Sequence, residues 1–224
     1  MNRTNPAALT ALQPGCSLAE RGLLPGTLGA LVKDLSSDRI GLLSNWHILV
    51  NGDSHGGEIV NHTRAIAGLD IGQPVADLGR YFLDRDGDAA VAWLRPGIPW
   101  STKLRGTDKQ LSGQRSPQVG DVLAKVGGRT GYTRARVTAL RTLKVRFQHG
   151  PVEIDSLYLE PIDDSKEHSL ICANGDSGSI WFDEQTMQAV ALHYAGESHP
   201  LRGPLHSKAC AIERVLERLE VSLL

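Results

Sequence analysis

Cysteine is scarce in this chain: Cys16, Cys172 and Cys210 are the only three among 224 residues. An odd set cannot pair completely within one chain, and no Cys-x-x-Cys spacing offers a zinc site. No intramolecular disulfide is expected, which favours a reducing compartment. Long apolar runs are missing too; none approaches the roughly 20 residues needed to span a bilayer, so no membrane partner is expected. Residues 1–8 lack the unbroken apolar segment of a signal peptide, and the expected setting is cytoplasmic. Nor is there an excess of charge: 24 Lys and Arg stand against 25 Asp and Glu, which implies no polyanionic partner. The local basic clusters, Thr133-Arg134-Ala135-Arg136 and Lys144-Val145-Arg146, alternate basic with other residues. They read as a solvated strand face rather than a nucleic-acid contact.

What is present is mostly strand signal. Short apolar runs bounded by Gly, Pro, Asp and Asn occur at residues 27–32, 40–44, 89–94, 122–126, 156–160 and 189–194. Such a series predicts an all-β sandwich or barrel rather than a βαβ fold. A polar stretch without strand pattern, residues 101–120, divides the chain and reads as a connector. One helix is predicted at the C-terminus, where Ile212, Val215, Leu216 and Leu219 fall at helical spacing with charged residues between them. A chain of this length can bury a substantial core, in one domain or in two packed halves.

Three segments carry chemistry. Ser44-Asn45-Trp46-His47 ends one apolar run, Asp86-Gly87-Asp88 opens another, and Gly175-Asp176-Ser177-Gly178-Ser179 is a glycine-flanked turn. A serine hydroxyl is a weak nucleophile unless a neighbouring base takes its proton. His47 is the candidate base, and a buried aspartate would hold its ring in the right tautomer. Asp84 and Asp86 compete with Asp88 for that place. The order His, Asp, Ser is that of chymotrypsin, not that of subtilisin or the α/β-hydrolases. Two other readings fail on spacing. Asp84-Arg85-Asp86-Gly87-Asp88 is no EF-hand, because Ala89 and Arg95 stand where that loop needs Gly and Glu. Val126-Gly127-Gly128-Arg129-Thr130-Gly131 has no Gly-Lys-Ser/Thr and no following helix, so it reads as a β-turn. No spacing joins the remaining histidines into a metal site, and no cofactor is expected.

On these motifs the chain resembles the trypsin-like (chymotrypsin-fold) serine proteases, over about residues 27–219, and within them the cytoplasmic bacterial branch. The resemblance implies one protease domain over residues 1–224: two six-stranded-type antiparallel β-barrels with the active site in the cleft between them, and a C-terminal helix. The N-terminal barrel would cover about residues 20–100, the connector 101–120, and the C-terminal barrel and helix 121–224. It implies His47, Asp88 and Ser177 as the triad, since in the family the aspartate lies immediately before an apolar strand. It implies the Gly175 and Ser177 amides as the oxyanion hole, and Ile171, Tyr194, Ala195 and Gly196 as substrate-binding positions. Asp176 resembles the family's aspartate that pairs with a newly cleaved N-terminus; with no Ile-Val-Gly-Gly-like start, it is expected to bond within the turn. Ile171 stands where trypsin has an aspartate, so a small or apolar residue before the scissile bond is expected, with Lys208 a further candidate for the pocket. His193 is expected to pack. The implied activity is that of a serine endopeptidase acting on a protein or peptide, in limited processing of a partner such as a defence or signalling protein encoded nearby. A catalytically silent binding module with the same fold, and an esterase with the same triad, are the alternatives.

Overall fold

A computed structural model describes residues 11–20, 24–50, 58–61, 73–147, 150–162, 170–199 and 203–224. The first half of the chain supplies β1 (Ser17–Glu20), β2 (Gly26–Thr27), β3 (Ala30–Asp34), β4 (Ile40–Ser44), the short helix α1 (Trp46–Leu49), β5 (Glu58–Asn61), β6 (Gln73–Asp84) and β7 (Gly87–Leu94). The second half supplies β8 (Val122–Gly127), β9 (Gly131–Phe147), β10 (Gly150–Glu160), β11 (Ile180–Phe182), β12 (Ala189–His199), β13 (Gly203–Ala211), the helix α2 (Ile212–Leu219) and β14 (Val221–Leu223). The fold is all-β, as the short-strand pattern predicts, and every strand pairing is antiparallel.

Two bodies result. Strands β8 to β13 close into a six-stranded barrel in the order β10-β13-β12-β11-β8-β9. The other body is an eight-stranded sheet in the order β14-β3-β4-β7-β6-β5-β1-β2. Its edge strand β14 comes from the far end of the chain, pairing Val221 with Asp34 and Leu223 with Val32. The C-terminal segment therefore leaves the barrel through α2 and returns to the first sheet. In α2 the buried residues are Ile212, Val215, Leu216 and Leu219, the ones whose spacing predicts the helix.

Strand β7 shows why the bodies adhere. Alternate side chains of a strand point to opposite faces. Ala90 and Ala92 join the apolar cluster inside the first sheet, with Leu31, Leu42 and Leu49. Ala89 and Val91 join a larger cluster that also takes in Ile180, Leu192 and Cys210 of the barrel and the buried face of α2. Both faces of β7 are covered, which explains its unbroken apolar run. The connector contributes to the same cluster through Leu104 and Leu111.

Two expectations shift in detail. The run at 27–32 is split between β2 and β3, because at Gly29 the chain passes so close to the 178 turn that a Cβ there would lie 2.2 Å from the Gly178 carbonyl oxygen. The basic clusters at 133–136 and 144–146 lie on one long strand, β9, with Arg134, Arg136, Lys144 and Arg146 exposed. The hairpin of β9 and β10 reaches across to the first body: the Asp155 amide donates to the Arg85 carbonyl at 2.9 Å, and Arg85 Nε to Asp155 Oδ2 at 3.0 Å.

The junction of β3, β6 and the end of α2 is held by Asp34, whose side chain is fully buried. Arg80 donates to its Oδ1 at 2.6 Å, Ser37 to its Oδ2 at 2.6 Å and Arg39 to its Oδ2 at 3.0 Å. Arg80 also caps the helix through the Leu219 carbonyl at 2.7 Å. The Arg80 hydrogen bond, with those from Ser37 and Arg39, holds the Asp34 carboxyl well below the usual carboxylate range against the opposing effect of burial. A depressed carboxylate stabilises the fold fully above its unfolded pKa, about 3.9, and the effect is lost as pH falls toward the native value. Asp34→Asn is therefore expected to lower the melting temperature at pH 7, with the gap to the unsubstituted protein shrinking steadily below about pH 4. Thermal scans of both proteins from pH 7 to pH 2 check it.

Candidate active site

His47 stands on α1, the single turn of helix that follows β4. Asp88 continues the file of Ala90 and Ala92 along β7, on the face where α1 packs. Its side chain is fully buried, while that of His47 is 24% exposed. One carboxylate oxygen accepts the His47 backbone amide at 3.1 Å, and the other makes a very short contact with His47 Nδ1. Asn45 Nδ2 adds a bond to the Asp88 carbonyl at 2.7 Å. A carboxylate on Nδ1 fixes the proton there and leaves Nε2 as the acceptor. The competing aspartates are engaged elsewhere, Asp84 and Asp86 both pairing with Arg218 of α2, at 2.7 and 3.3 Å. Phe147, at the end of β9, packs beside this pair with its ring 6.3 Å from the His47 ring and 6.4 Å from that of Trp46.

Ser177 lies in a tight turn. Gly175 and Gly178 adopt φ of 105° and 96°, a region that other residues rarely enter. The turn is bonded by Asp176 N to Ala173 O and Ser179 N to Asp176 O, each at 3.0 Å, and by Gly178 N to His193 O at 2.8 Å. Among the described residues, the Gly175 and Ser177 amides have no backbone acceptor. The Ser177 hydroxyl donates to the Tyr194 carbonyl at 3.4 Å. Thus His47 and Asp88 are bonded to each other, whereas the Ser177 hydroxyl is turned to the Tyr194 carbonyl. Gly26 brings the turn beside α1, since a Cβ there would lie 2.7 Å from Ser177 O and 2.6 Å from Ile48 Cγ1.

Beneath the turn lies a buried ion pair that the sequence did not announce. Asp176 bonds within its own turn to the Ala173 amide at 3.1 Å, but its main counter-charge is Lys125 of β8, at 2.8 Å with both side chains fully buried. Thr130 Oγ1 donates at 2.6 Å, and the Arg129 and Thr130 amides each at 3.0 Å. Burial pushes the Asp176 carboxyl up, yet the Lys125 charge and the hydrogen bonds from Lys125 and Thr130 hold it below its ordinary value.

The expected substrate-binding positions separate. Ile171 is 1% exposed and packs in the barrel interior with Leu123, Val137 and Trp181. Its neighbour Cys172 is the side chain set against Gly196, where a Cβ would come within 2.3 Å of its sulfur; burial pushes the Cys172 thiol up to about 11. Tyr194 is buried, its hydroxyl 2.7 Å from Ser156 Oγ, so its carbonyl, not its ring, meets Ser177. Ala195 and Gly196 lie on β12 opposite Lys208 and Ser207 of β13. Lys208 is engaged by Glu197 at 2.5 Å. His193 is packed, with Nδ1 at 2.8 Å from Ser207 Oγ, and burial, reinforced by the Lys125 charge, pushes its pKa down to about 3. All three cysteines are free thiols. Among the described residues no group of three or more His, Cys, Asp or Glu is arranged to hold a metal, and no helix is long and apolar enough to cross a membrane.

Two packed antiparallel β bodies with His47 and Asp88 on one and the Ser177 turn on the other define the chymotrypsin fold. Solved structures agree. Thermobifida fusca Protease A superposes with a TM-score of 0.70 at 18% identity, covering 96% of this chain and 99% of its own. Cellulomonas bogoriensis chymotrypsin gives 0.69 at 17%, with 96% and 99% covered, and a glutamic acid specific serine protease gives 0.68 at 16%, with 95% and 100% covered. No family model and no curated protein sequence matches the chain.

The buried pair yields a stability test. Removing one partner strands the other charge, at a cost of about 3–5 kcal/mol. Lys125→Met is expected to lose about that much, and a Lys125→Met, Asp176→Asn double variant less than the sum of the two single losses. Urea unfolding of the four proteins measures both.

Proposed function

We propose that this protein is a serine endopeptidase. The observation that carries the reading is the buried Asp88 carboxylate bonded to both the amide and Nδ1 of His47, beside a tight glycine-flanked turn that presents Ser177. On this reading Ser177 is the nucleophile, and a change of its χ1 rotamer turns the hydroxyl from Tyr194 O toward Nε2 of His47. Catalytic hydrogen bonds are often looser before substrate binds. His47 takes the hydroxyl proton as Oγ attacks the scissile carbonyl, and Asp88 stabilises the imidazolium that forms. The carbonyl oxygen, now negative, is met by the Gly175 and Ser177 amides. His47 then gives its proton to the leaving amine. Water, deprotonated by the same histidine, attacks the acyl-enzyme and releases Ser177.

The substrate is a protein or peptide laid as an added strand along residues 194–196, where main-chain bonds give affinity and side-chain pockets give selectivity. The Cys172 side chain narrows the space beside Gly196, and Lys208 is neutralised by Glu197. A small residue before the scissile bond fits this wall. A cation there would be desolvated without a counter-charge, at a cost of several kcal/mol. Limited processing of a partner protein, encoded nearby and acting in defence or signalling, in a bacterial cytoplasm, is the role we assign.

Three outcomes follow. A fluorophosphonate probe is expected to label the protein, and Ser177→Ala to lose labelling and turnover with its melting temperature nearly unchanged; labelling that survives the substitution sinks the assignment. Peptide amides should be cleaved as well as esters, which separates peptidase from esterase. In a mixed proteome digest, cuts should follow small or apolar residues, and Cys172→Ala should raise kcat/KM for a larger aliphatic residue there by about 10-fold, the scale of one methylene in a pocket. Cuts mainly after Arg or Lys would contradict the pocket assignment.

A further inference from the structure

Thr27 ends the two-residue strand β2 and is fully buried. A buried hydroxyl needs partners, and this one has two, on different segments. It accepts the Gly128 amide at 2.8 Å, from the turn joining β8 to β9. It donates to the Gly175 carbonyl at 2.8 Å, in the Ser177 turn. The main chain of Thr27 is equally engaged: its amide donates to Ser177 O at 2.7 Å, and its carbonyl accepts Ser44 Oγ at 2.8 Å. One residue of the first sheet therefore reaches the segment leading to His47, the turn above Lys125 and both ends of the sequence Gly175-Asp176-Ser177.

The place of these bonds matters. The peptide between Gly175 and Asp176 is clamped at both poles, its carbonyl by Thr27 and its N–H by Ala173 O. That peptide lies between the Gly175 and Ser177 amides, which have no backbone acceptor among the described residues. Glycine at φ 105° has little intrinsic preference to keep it in place, so the hydroxyl supplies a restraint that the residue itself lacks. An oxyanion site works by preorganised donors, and its effect falls when they must reorganise during the reaction.

We propose that Thr27 is a positioning residue for the oxyanion site, its hydroxyl holding the nucleophile turn so that the Gly175 and Ser177 amides converge on the developing charge. This rests on the peptidase reading above. Thr27→Val keeps the shape and removes the hydroxyl; Thr27→Ser keeps the hydroxyl. With a peptide ester and a peptide amide, Thr27→Val is expected to lower kcat about 10- to 100-fold, somewhat less than loss of an oxyanion donor itself, with KM changed less than about 3-fold. Thr27→Ser should stay within about 3-fold of the unsubstituted protein in both. A peptide boronate, which mimics the tetrahedral adduct, should bind Thr27→Val more weakly in proportion to kcat/KM, a readout that a purely structural role would not move. Should Thr27→Val fail to fold, Thr27→Ala against Thr27→Ser carries the same contrast. Unchanged kcat in Thr27→Val, or equal losses in the serine variant, overturns the positioning role alone. An unsubstituted protein that neither turns over substrate nor reacts with a fluorophosphonate overturns the peptidase reading, and this inference with it.

Discussion

The Lys125–Asp176 pair is the constraint on which the site depends. Taking two charges out of water costs several kcal/mol each, and their mutual attraction offsets this only when further hydrogen bonds complete the geometry. Here they do. Both Asp176 oxygens are occupied, one by the Arg129 and Thr130 amides, the other by Lys125, Thr130 Oγ1 and the Ala173 amide. Because Asp176 immediately precedes Ser177, these bonds fix the turn from below. The cation comes from within β8, so the turn is assembled by folding of the chain itself, with Lys125 in the place that the resemblance gave to a cleaved N-terminus.

The two bodies meet because strands at their junction are apolar on both faces. Strand β7 lines the first sheet's interior with one side and the shared cluster with the other, and Asp88 heads the file that faces α1. The same junction receives α2 and returns β14 to the edge of β3. The Asp34 cluster closes that return, with Arg39 and Arg80 lying over the Trp93 ring at 4.3 and 5.0 Å. His47 and Asp88 therefore sit on a sheet braced by the returning β14, while the Ser177 turn is braced from the barrel.

Much of this was legible in the sequence. Short runs separated by turn residues gave an all-β fold because burial of strand faces dominates their composition, and the helical spacing of Ile212, Val215, Leu216 and Leu219 marked the faces that α2 buries. The resemblance singled out Asp88 over Asp84 and Asp86 by the apolar strand it begins, and in the structure Asp88 is the one bonded to His47. What was not legible depends on contacts far apart in sequence. Lys125 looks like any strand lysine until β8 is laid under residue 176, and Thr27 meets Gly175 across 148 positions. Ile171 was expected at the substrate position, but its side chain packs in the barrel interior, and it is the Cys172 sulfur that faces Gly196. The exposed charges of β9 gave the face of that strand but not its length, since a solvated hairpin has little apolar signal.

Three basic side chains near the Ser177 turn, Lys125, His193 and His47, occupy distinct electrostatic states, and on the proposed mechanism the difference is functional. Burial pulls the Lys125 pKa down while the Asp176 carboxylate opposes that shift, and the pair is neutral as a unit. His193 is fully enclosed and, with its pKa pushed down to about 3, carries no charge near neutral pH. His47 faces the buried Asp88 carboxylate, for which no Lys or Arg ion pair occurs among the described residues. A positive charge appearing on His47 during the reaction is therefore opposed by neither of its basic neighbours and is met directly by Asp88. Two buried carboxylates thus serve opposite ends: one is spent on holding the turn still, and the other is kept for a charge that exists only while the bond is being broken.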